Sequence, residues 1–138
     1  SKKAEANQLE MVVECPQSPV EIYVDGRHLW RIIDNLMGNI CKYAQPGTRV
    51  YVTLETFHGM VIMTFRNISK DRLKMTSEEL FGRFVRGDSS RNTEGHGLGL
   101  SIAKSLTELM HGNLAVQMDG DLFKVILSFE EYQEDKKQ

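Results

Sequence analysis

Two pairs of segments in this chain alternate between apolar and polar residues. Alternation with a period of two is typical of strands that bury one face. A short turn-forming sequence separates the segments of each pair, His58-Gly59 in the first and Asp119-Gly120 in the second. The pattern therefore predicts two β-hairpins. Their strands are Val50–Phe57 with Met60–Asn67, and Asn113–Met118 with Leu122–Phe129.

The beginning of the chain predicts two further strands and the start of a helix. Gln8–Cys15 has an apolar centre and ends at Pro16, and Val20–Val24 alternates over its whole length. Asp25 follows directly. Because aspartate is a favourable N-cap, a helix is expected to begin after it.

Two long helices are predicted from apolar residues at helical spacing. The first runs from Gly26 to Tyr43, and the second runs to about His111, with Gly112 as the expected stop. Thr76 and Glu79 are spaced as a capping box, which predicts a short helix between the long ones. The apolar rows are Leu29, Ile32, Ile33, Leu36 and Ile40 in the first helix, and Ile102, Ala103, Leu106 and Met110 in the second.

Helices on one face of a mixed sheet are the simplest packing for these elements. We therefore predict an α/β two-layer sandwich, in which a mixed, mostly antiparallel sheet of five or six strands packs against two long helices and a short lid helix. The length suits one domain, 1–138. The connection at about 68–94 is long enough to be a flexible lid, and the tail at about 130–138 is expected to fray.

Composition and charge exclude several classes of function. The net charge of −2 gives no reason to expect nucleic acid or an anionic membrane as a partner. No apolar run approaches the roughly 20 residues of a membrane span. We therefore expect a soluble, cytoplasmic fragment, whose parent protein can still be membrane-anchored. Cys15 and Cys41 are expected to be reduced and buried.

Three glycines at alternate positions, Gly95, Gly97 and Gly99, precede the second long helix. Glycine lets a backbone approach closely, and the N–H groups at a helix start attract anions, so this run predicts a phosphate contact. The similar dinucleotide-binding motif follows an apolar strand, which is missing here. The glycines alone leave the ligand open.

Four polar residues share one face of the first long helix: Asn35, Asn39, Lys42 and Tyr43. Asparagine gains little inside a helix, so two of them one turn apart need an explanation. One explanation is a solvated helix edge. The other is a magnesium–phosphate site, in which an amide oxygen binds the metal and Lys42 meets a phosphate.

Asn67 lies on the same row as Val61, Met63 and Phe65, which is expected to face the core. A buried amide must find hydrogen-bond partners. Asn67 either bonds to local backbone at the end of its strand, or its carbonyl oxygen accepts from a ligand amino group such as that of adenine.

Together these residues resemble the catalytic ATP-binding domain of sensor histidine kinases. That domain belongs to the GHKL (HATPase) superfamily and has the Bergerat ATPase fold, which it shares with gyrase, mismatch-repair ATPases and heat-shock chaperones. The resemblance covers the chain from about Gln8 to Phe129, and three sequence boxes occur in the family's order. Asp34–Tyr43 is similar to the N box, Phe81–Asp88 to the F box and Gly95–Leu100 to the G2 box.

The resemblance implies a ligand, Mg-ATP, and a role for each matching residue. Asn39 would be the metal ligand, and Asn35 would hold water or phosphate. Arg86, in the lid, would reach the γ-phosphate or the acceptor. The other implied nucleotide contacts are Lys42 and Tyr43 beside the phosphates and ribose, Asn67 at the adenine, and the backbone of Gly95, Gly97, Leu98, Gly99 and Leu100 at the phosphates.

The chain departs from the family pattern at the G1 box. The family sequence is Asp-x-Gly-x-Gly, whereas this chain has Asn67-Ile68-Ser69-Lys70-Asp71. The side chain of Asn67 keeps one acceptor oxygen, loses the negative charge and adds a donor. We therefore expect ATP to bind, with reduced selectivity for adenine.

The implied activity is that of a protein-histidine kinase in a two-component phosphorelay. Hydrolytic relatives have a glutamate at the position of Asn35. An amide is no general base, so hydrolysis should be slow and the γ-phosphate kept for another acceptor. The histidines His28, His58, His96 and His111 lie outside any acceptor motif.

The phosphoacceptor histidine is therefore expected on an upstream dimerisation domain of the parent protein. That parent would pass the phosphate on to a response regulator. The fragment itself is expected to be a monomer that cannot phosphorylate itself.

Two other functions remain open. The same fold carries kinases that phosphorylate serine on anti-sigma-type partners, although Phe81 and Phe84 could dock on a helical partner and so favour the histidine kinase. The missing G1 glycines could also mark a degenerate module that only binds a partner. Binding of ATP with Mg²⁺ at millimolar concentration would separate this module from both kinases.

Overall fold

The computed structural model describes residues 2–73, 76–81 and 99–134, and in these residues five strands form one mixed sheet. The strands are β1 (Glu10–Glu14), β2 (Arg49–Phe57), β3 (Met60–Ile68), β4 (Asn113–Asp119) and β5 (Leu122–Glu130). Their order across the sheet is β1-β2-β3-β5-β4. β1 is parallel to β2, and the other neighbouring pairs are antiparallel.

Helices pack on one face of this sheet. The described helices are α1 (Lys2–Ala6), α2 (Gly26–Tyr43), α3 (Ser77–Leu80) and α4, whose described part spans 99–109. Ile32 and Leu36 of α2 are buried in the same apolar cluster as Leu100 of α4 and as Phe65 and Leu127 of the sheet. The predicted two-layer α/β sandwich is therefore confirmed.

Helix α2 begins and ends where the sequence predicts. Asp25 is its N-cap and accepts a hydrogen bond from the Arg27 backbone amide at 2.8 Å. That hydrogen bond lowers the pKa of the Asp25 carboxyl below its ordinary value. At the other end, the Ala44 amide donates to the Ile40 carbonyl oxygen at 2.9 Å. The predicted apolar row faces the core, with Ile32, Leu36 and Ile40 buried and Leu29 and Ile33 partly buried.

The hairpin of β2 and β3 has the predicted turn. His58 and Gly59 both have positive φ, 49° and 79°, as a type I′ turn requires. Alternation along β3 then buries Phe65 and Asn67 on the face that the helices cover. Asn67 lies near the end of its strand, opposite Phe123 of β5.

Two expectations for the first part of the chain are wrong. Val20–Val24 is not a strand. Ile22 packs against the core while Tyr23 is 87% exposed, so the alternation reflects a connecting segment with one buried side. Cys41 is buried as predicted, but Cys15 is exposed because it follows the end of an edge strand; both thiols are free.

The end of α4 corrects the role expected for Gly112. The residue in the left-handed region is His111, with φ 66°. Its amide donates to the Glu108 carbonyl oxygen and the Gly112 amide donates to that of Thr107, as in a Schellman motif. Glycine is instead required at position 112 because a side chain would not fit there: its Cβ would lie 2.4 Å from Cε1 of Phe129.

Candidate functional site

Asn35 and Asn39 lie one turn apart on α2, and both face Gly99, the first described residue of α4. Nδ2 of Asn35 lies 3.5 Å from the Gly99 carbonyl oxygen. A Cβ at position 99 would lie 3.2 Å from Nδ2 of Asn39 and 3.5 Å from its Oδ1. The two amides therefore meet the last glycine of the run, as the phosphate-site hypothesis requires.

The space at position 99, beside the Asn39 side chain, favours glycine. The backbone of Gly99 is outside the positive-φ region, so other residues could adopt its conformation. A side chain there would press against the Asn39 amide and displace it by a few tenths of an ångström. The missing Cβ thus leaves room for the Asn39 amide beside α4.

The amide of Asn39 has an unpaired donor. Its Nδ2 is buried and makes no hydrogen bond within the described structure, although most buried polar groups in proteins have a partner. Leaving such a donor unpaired costs about 1–3 kcal/mol. An unpaired amide beside Gly99 is the arrangement expected for a polar ligand site.

A small cavity lies beside Asn39, between the end of α2 and the end of β3. Its volume of about 10 Å³ gives room for one water-sized group. Asn67 lies in its wall and is only 4% exposed, which confirms that it belongs to the buried row. The lining residues are Asn39, Ile40, Tyr43, Asn67, Ser69 and Phe123.

Backbone hydrogen bonds hold the two chain segments around this cavity together. The Gln45 amide donates to the Ile68 carbonyl oxygen at 2.7 Å, and the Lys70 amide donates to that of Tyr43 at 3.0 Å. These bonds join the chain at the end of α2 to the chain at the end of β3. The main chain therefore fixes the positions of Asn39 and Asn67, the two asparagines of the cavity, relative to each other.

Lys42 and Tyr43 lie at the end of α2. Tyr43 is half-buried and lines the cavity, whereas Lys42 is exposed, with its ammonium 5.4 Å from the centre of the Tyr43 ring. Ser69 and Phe123 also line the cavity but were not predicted from the sequence. Phe123 reaches it only through the β3–β5 register, whereas Ser69 could have been found because it is two positions after Asn67.

The capping box predicted before the lid helix is present. The Thr76 amide donates to Oε1 of Glu79 at 2.8 Å, and the Glu79 amide donates to Oγ1 of Thr76 at 3.2 Å. Phe81, just after α3, packs against the core, and the Lys104 ammonium lies 5.0 Å from its ring centre. This ring is therefore partly buried against the core.

Several expected site residues lie outside the described residues: Arg86, Gly95, Gly97 and Leu98. Phe84 and His96 lie outside them too. The expected lid at about 68–94 is described only up to 73 and over 76–81. Leu100 is described, and its side chain is fully buried in the core. Only its backbone could therefore contact a nucleotide.

A larger cleft, of about 580 Å³, opens on the other face of the sheet. Thr53, Arg66 and Lys124 from three neighbouring strands line it, and none of the predicted site residues that the structure describes does so. Nε of Arg66 is buried and has no hydrogen-bond partner among the described residues, and its guanidinium lies 5.1 Å from the centre of the Tyr51 ring. Judged by volume alone, this cleft would be chosen as the ligand site. The amides of Asn35 and Asn39 that face Gly99, however, lie on the opposite face of the sheet.

A family model matches residues 24–133, and its description is histidine kinase-, DNA gyrase B-, and HSP90-like ATPase. The chain belongs to this family of ATPases. The predicted family is therefore confirmed, and an ATPase domain of the histidine kinase type implies nucleotide binding.

The chain is similar to part of several bacterial sensor proteins. The probable sensor protein PcoS of Escherichia coli is 38% identical over 107 residues, which make up 75% of this chain and 23% of that protein. The sensor histidine kinase RppB of Synechocystis is 36% identical over 114 residues, which make up 78% of this chain and 25% of that protein. The chain thus spans about a quarter of the length of these curated relatives.

Solved structures share the fold. The catalytic domain of the histidine kinase ThkA aligns with a TM-score of 0.77 at 18% identity, covering 94% of this chain and 84% of that one. At this identity the likeness concerns the fold alone. Within the part of the chain that the structure describes, no helix combines the length and apolarity needed to cross a membrane.

Proposed function

We propose that this chain binds Mg-ATP between α2, the end of β3 and the start of α4, and donates the γ-phosphate to a histidine on a separate domain of a sensor kinase. The observation that carries the proposal is the approach of Asn35 and Asn39 to Gly99, with Nδ2 of Asn39 left unpaired. Membership of an ATPase family and similarity to much longer sensor kinases support it.

The donor set suits Mg²⁺ that arrives with a triphosphate. This ion prefers oxygen ligands, keeps several waters and is usually held partly by substrate phosphates. Asn39 would hold it through Oδ1, and the unpaired Nδ2 could then donate to a phosphate oxygen. When bound, the metal would neutralise charge on the phosphates. In the described residues no three His, Cys, Asp or Glu side chains could hold a metal without such help.

The other contacts would be distributed along the nucleotide, from its base to its phosphates. Asn67 would meet the base in the buried cavity, and Lys42 would reach a phosphate as a point charge. The backbone N–H groups of Gly97 and Gly99 would donate to the phosphates, as those at helix starts do. Arg86 would stabilise the transferring phosphoryl group, the role that the family resemblance gives it.

Asn35 favours transfer over hydrolysis. An amide does not take up a proton at neutral pH, so it cannot activate water as a carboxylate would. We therefore expect slow hydrolysis, with the γ-phosphate retained until an acceptor arrives.

The acceptor is proposed to be a histidine of another domain, because none of the four histidines of this chain lies in an acceptor motif. The structure describes three of them. His28 lies in the first turn of α2, 3.9 Å from the Asp25 carboxylate. His58 stacks on Phe57 at the tip of a hairpin, and His111 ends α4.

Isothermal titration of the chain with ATP, with and without Mg²⁺, tests binding. We expect affinity that depends on Mg²⁺, and Asn39→Ala should lose most of the Mg²⁺-dependent part. Asn113→Ala is the matched control, since this asparagine of β4 is exposed and distant from the cavity lining. A folded protein that binds no ATP at millimolar concentration would contradict the proposal and favour a partner-binding module. An Asn39→Ala variant with unchanged affinity, with and without Mg²⁺, would contradict the metal role of Asn39.

Transfer is tested by incubating the chain with radiolabelled ATP and the phosphoacceptor domain of a related sensor kinase. The label should be acid-labile and base-stable, as phosphohistidine is. Arg86→Ala should slow transfer while leaving ATP binding nearly unchanged. An acid-stable label would indicate phosphoserine and the alternative kinase class.

A further inference from the structure

We propose that the base pocket of this chain accepts purines with an oxo group at position 6 as well as purines with an amino group there. This inference rests on the proposed function, since it concerns the nucleotide bound at the same site. Its basis is that the buried polar residue at the end of β3 is a carboxamide, Asn67, and not a carboxylate. The ligand class is therefore 6-amino- and 6-oxopurine nucleotides.

The position of Asn67 restricts what it can contact. Its side chain is 4% exposed and lies opposite Phe123 in the β3–β5 ladder. The cavity beside it has a volume of about 10 Å³, enough for one water-sized group. An exocyclic amino or oxo group has that size, whereas a whole base does not. Recognition by Asn67 is thus limited to one edge of the base.

The rest of the described wall carries no formal charge that would favour one purine. Its polar side chains are the amides of Asn39 and Asn67 and the hydroxyls of Tyr43 and Ser69. The Ser69 hydroxyl accepts a hydrogen bond from the Asp71 amide at 3.2 Å, which leaves its own hydrogen free to donate. Amides and hydroxyls each contain a donor and an acceptor, so such a wall can pair with either purine.

The chemistry of a carboxamide matches both purine edges. A 6-aminopurine presents an amino donor beside the acceptor N1, and a 6-oxopurine presents an oxygen acceptor beside the donor N1–H. Rotating the terminal amide of Asn67 by half a turn exchanges Oδ1 and Nδ2, so each purine can find a complementary pair. A carboxylate has only acceptors and would oppose the oxo group with a second oxygen.

The size of the expected effect follows from unpaired groups. A site built around a particular hydrogen bond rejects an analogue that lacks it by about 10⁴–10⁵-fold, because buried polar groups are left without partners. Asn67 avoids that outcome with both purines. We therefore expect the ADP and IDP dissociation constants to agree within about 10-fold, the effect of a single hydrogen bond of unequal quality.

Titration of the wild-type chain with Mg-ADP and with Mg-IDP measures this ratio without turnover. IDP is the suitable probe because it carries the 6-oxo group without the 2-amino group of guanine. Asn67→Asp should raise the preference for ADP by about 10-fold or more through loss of IDP binding. Asn113→Asp makes the same chemical change at an exposed asparagine and should leave the ratio unchanged.

The outcomes separate this inference from the proposed function. A wild-type preference for ADP above about 100-fold would overturn the inference and leave ATP binding intact. Binding of neither nucleotide by a folded chain would instead contradict the proposed function. If Asn67→Asp does not fold, Asn67→Ser keeps a donor and an acceptor and should keep the ratio within about 10-fold; a larger preference in that variant would contradict the inference.

Discussion

The ammonium of Lys104 lies 5.0 Å from the centre of the Phe81 ring and 3.2 Å from the carbonyl oxygen of Leu114. Glu108 pairs with the same ammonium at 3.2 Å. One side chain of α4 therefore contacts both the residue that follows α3 and the strand that follows α4. Because α4 also carries Gly99, which faces Asn35 and Asn39, Lys104 connects Phe81 of the expected lid to the helix at the candidate phosphate site.

Lys104→Met keeps the apolar stem of the side chain and removes its charge. We expect the free energy of unfolding to fall by about 1 kcal/mol, because a hydrogen bond and a cation–π contact of a partly exposed ammonium are lost. Urea denaturation followed by circular dichroism measures the change. Lys70→Met, at an exposed lysine, is the control and should change stability by less than about 0.5 kcal/mol. Equal stability of the two variants would show that the Lys104 ammonium contributes nothing.

Gly112→Ala should destabilise the protein by about 1–3 kcal/mol, the usual range for an overpacked site. The new Cβ would lie 2.4 Å from Cε1 of Phe129 and 2.8 Å from the Ser128 carbonyl oxygen, so backbone would have to move. Gly38→Ala is the contrasting variant, since nothing lies within 4 Å of a Cβ there and alanine is favoured inside a helix by about 1 kcal/mol. Urea denaturation should therefore give shifts of opposite sign, and shifts of equal sign would refute the packing explanation.

Gly99→Ala should separate binding from stability. The new methyl group would press on the Asn39 amide from 3.2 Å, so we expect Mg-ADP affinity to fall by about 10-fold or more, or roughly 1.4 kcal/mol. Stability should stay unchanged or rise, because alanine is the better helix former. Calorimetric titration and urea denaturation of the same preparation give both values. Wild-type affinity in this variant would mean that the approach of Asn39 to Gly99 is irrelevant to the nucleotide.

His111→Gly should stabilise the protein. His111 has a φ of 66°, and the left-handed region costs a residue with a Cβ about 1 kcal/mol or more. Glycine removes that cost but is freer in the unfolded chain, so we expect a net gain of about 0.5 kcal/mol in the free energy of unfolding. His28→Gly, in the first turn of α2, should instead lose stability. A loss in both variants would show that the His111 side chain makes a contact worth more than the strain.

Elements with local signals were predicted well. The start of α2 depends on Asp25, and its extent depends on apolar residues that repeat every three or four positions. The β2–β3 turn depends on two adjacent residues, His58 and Gly59, that tolerate positive φ. The buried position of Asn67 follows from the alternation of apolar and polar residues along β3. Each of these signals lies within a few residues of the feature that it predicts.

Features that depend on distant partners were not predictable. Helix α1 has five residues, too few for a periodic pattern. Ala4 in this helix is buried only because other elements of the fold cover it. The need for glycine at 112 comes from the Phe129 ring on another strand. The cavity wall includes Phe123 because of a strand register that no local pattern specifies. In the candidate site, Asn39 and Asn67 could therefore be predicted from the sequence, whereas the cavity that they share could not.

The main-chain bonds from Gln45 to Ile68 and from Lys70 to Tyr43 also matter for inhibitor chemistry. They present the carboxamide of Asn67 on a preformed wall, so a small heteroaromatic fragment would lose little free energy in ordering it. Compounds grown outward from such an anchor would begin at a position where family members with the usual G1 box carry a carboxylate. The selectivity of such compounds for this chain over those family members would then depend on the single amide group of Asn67.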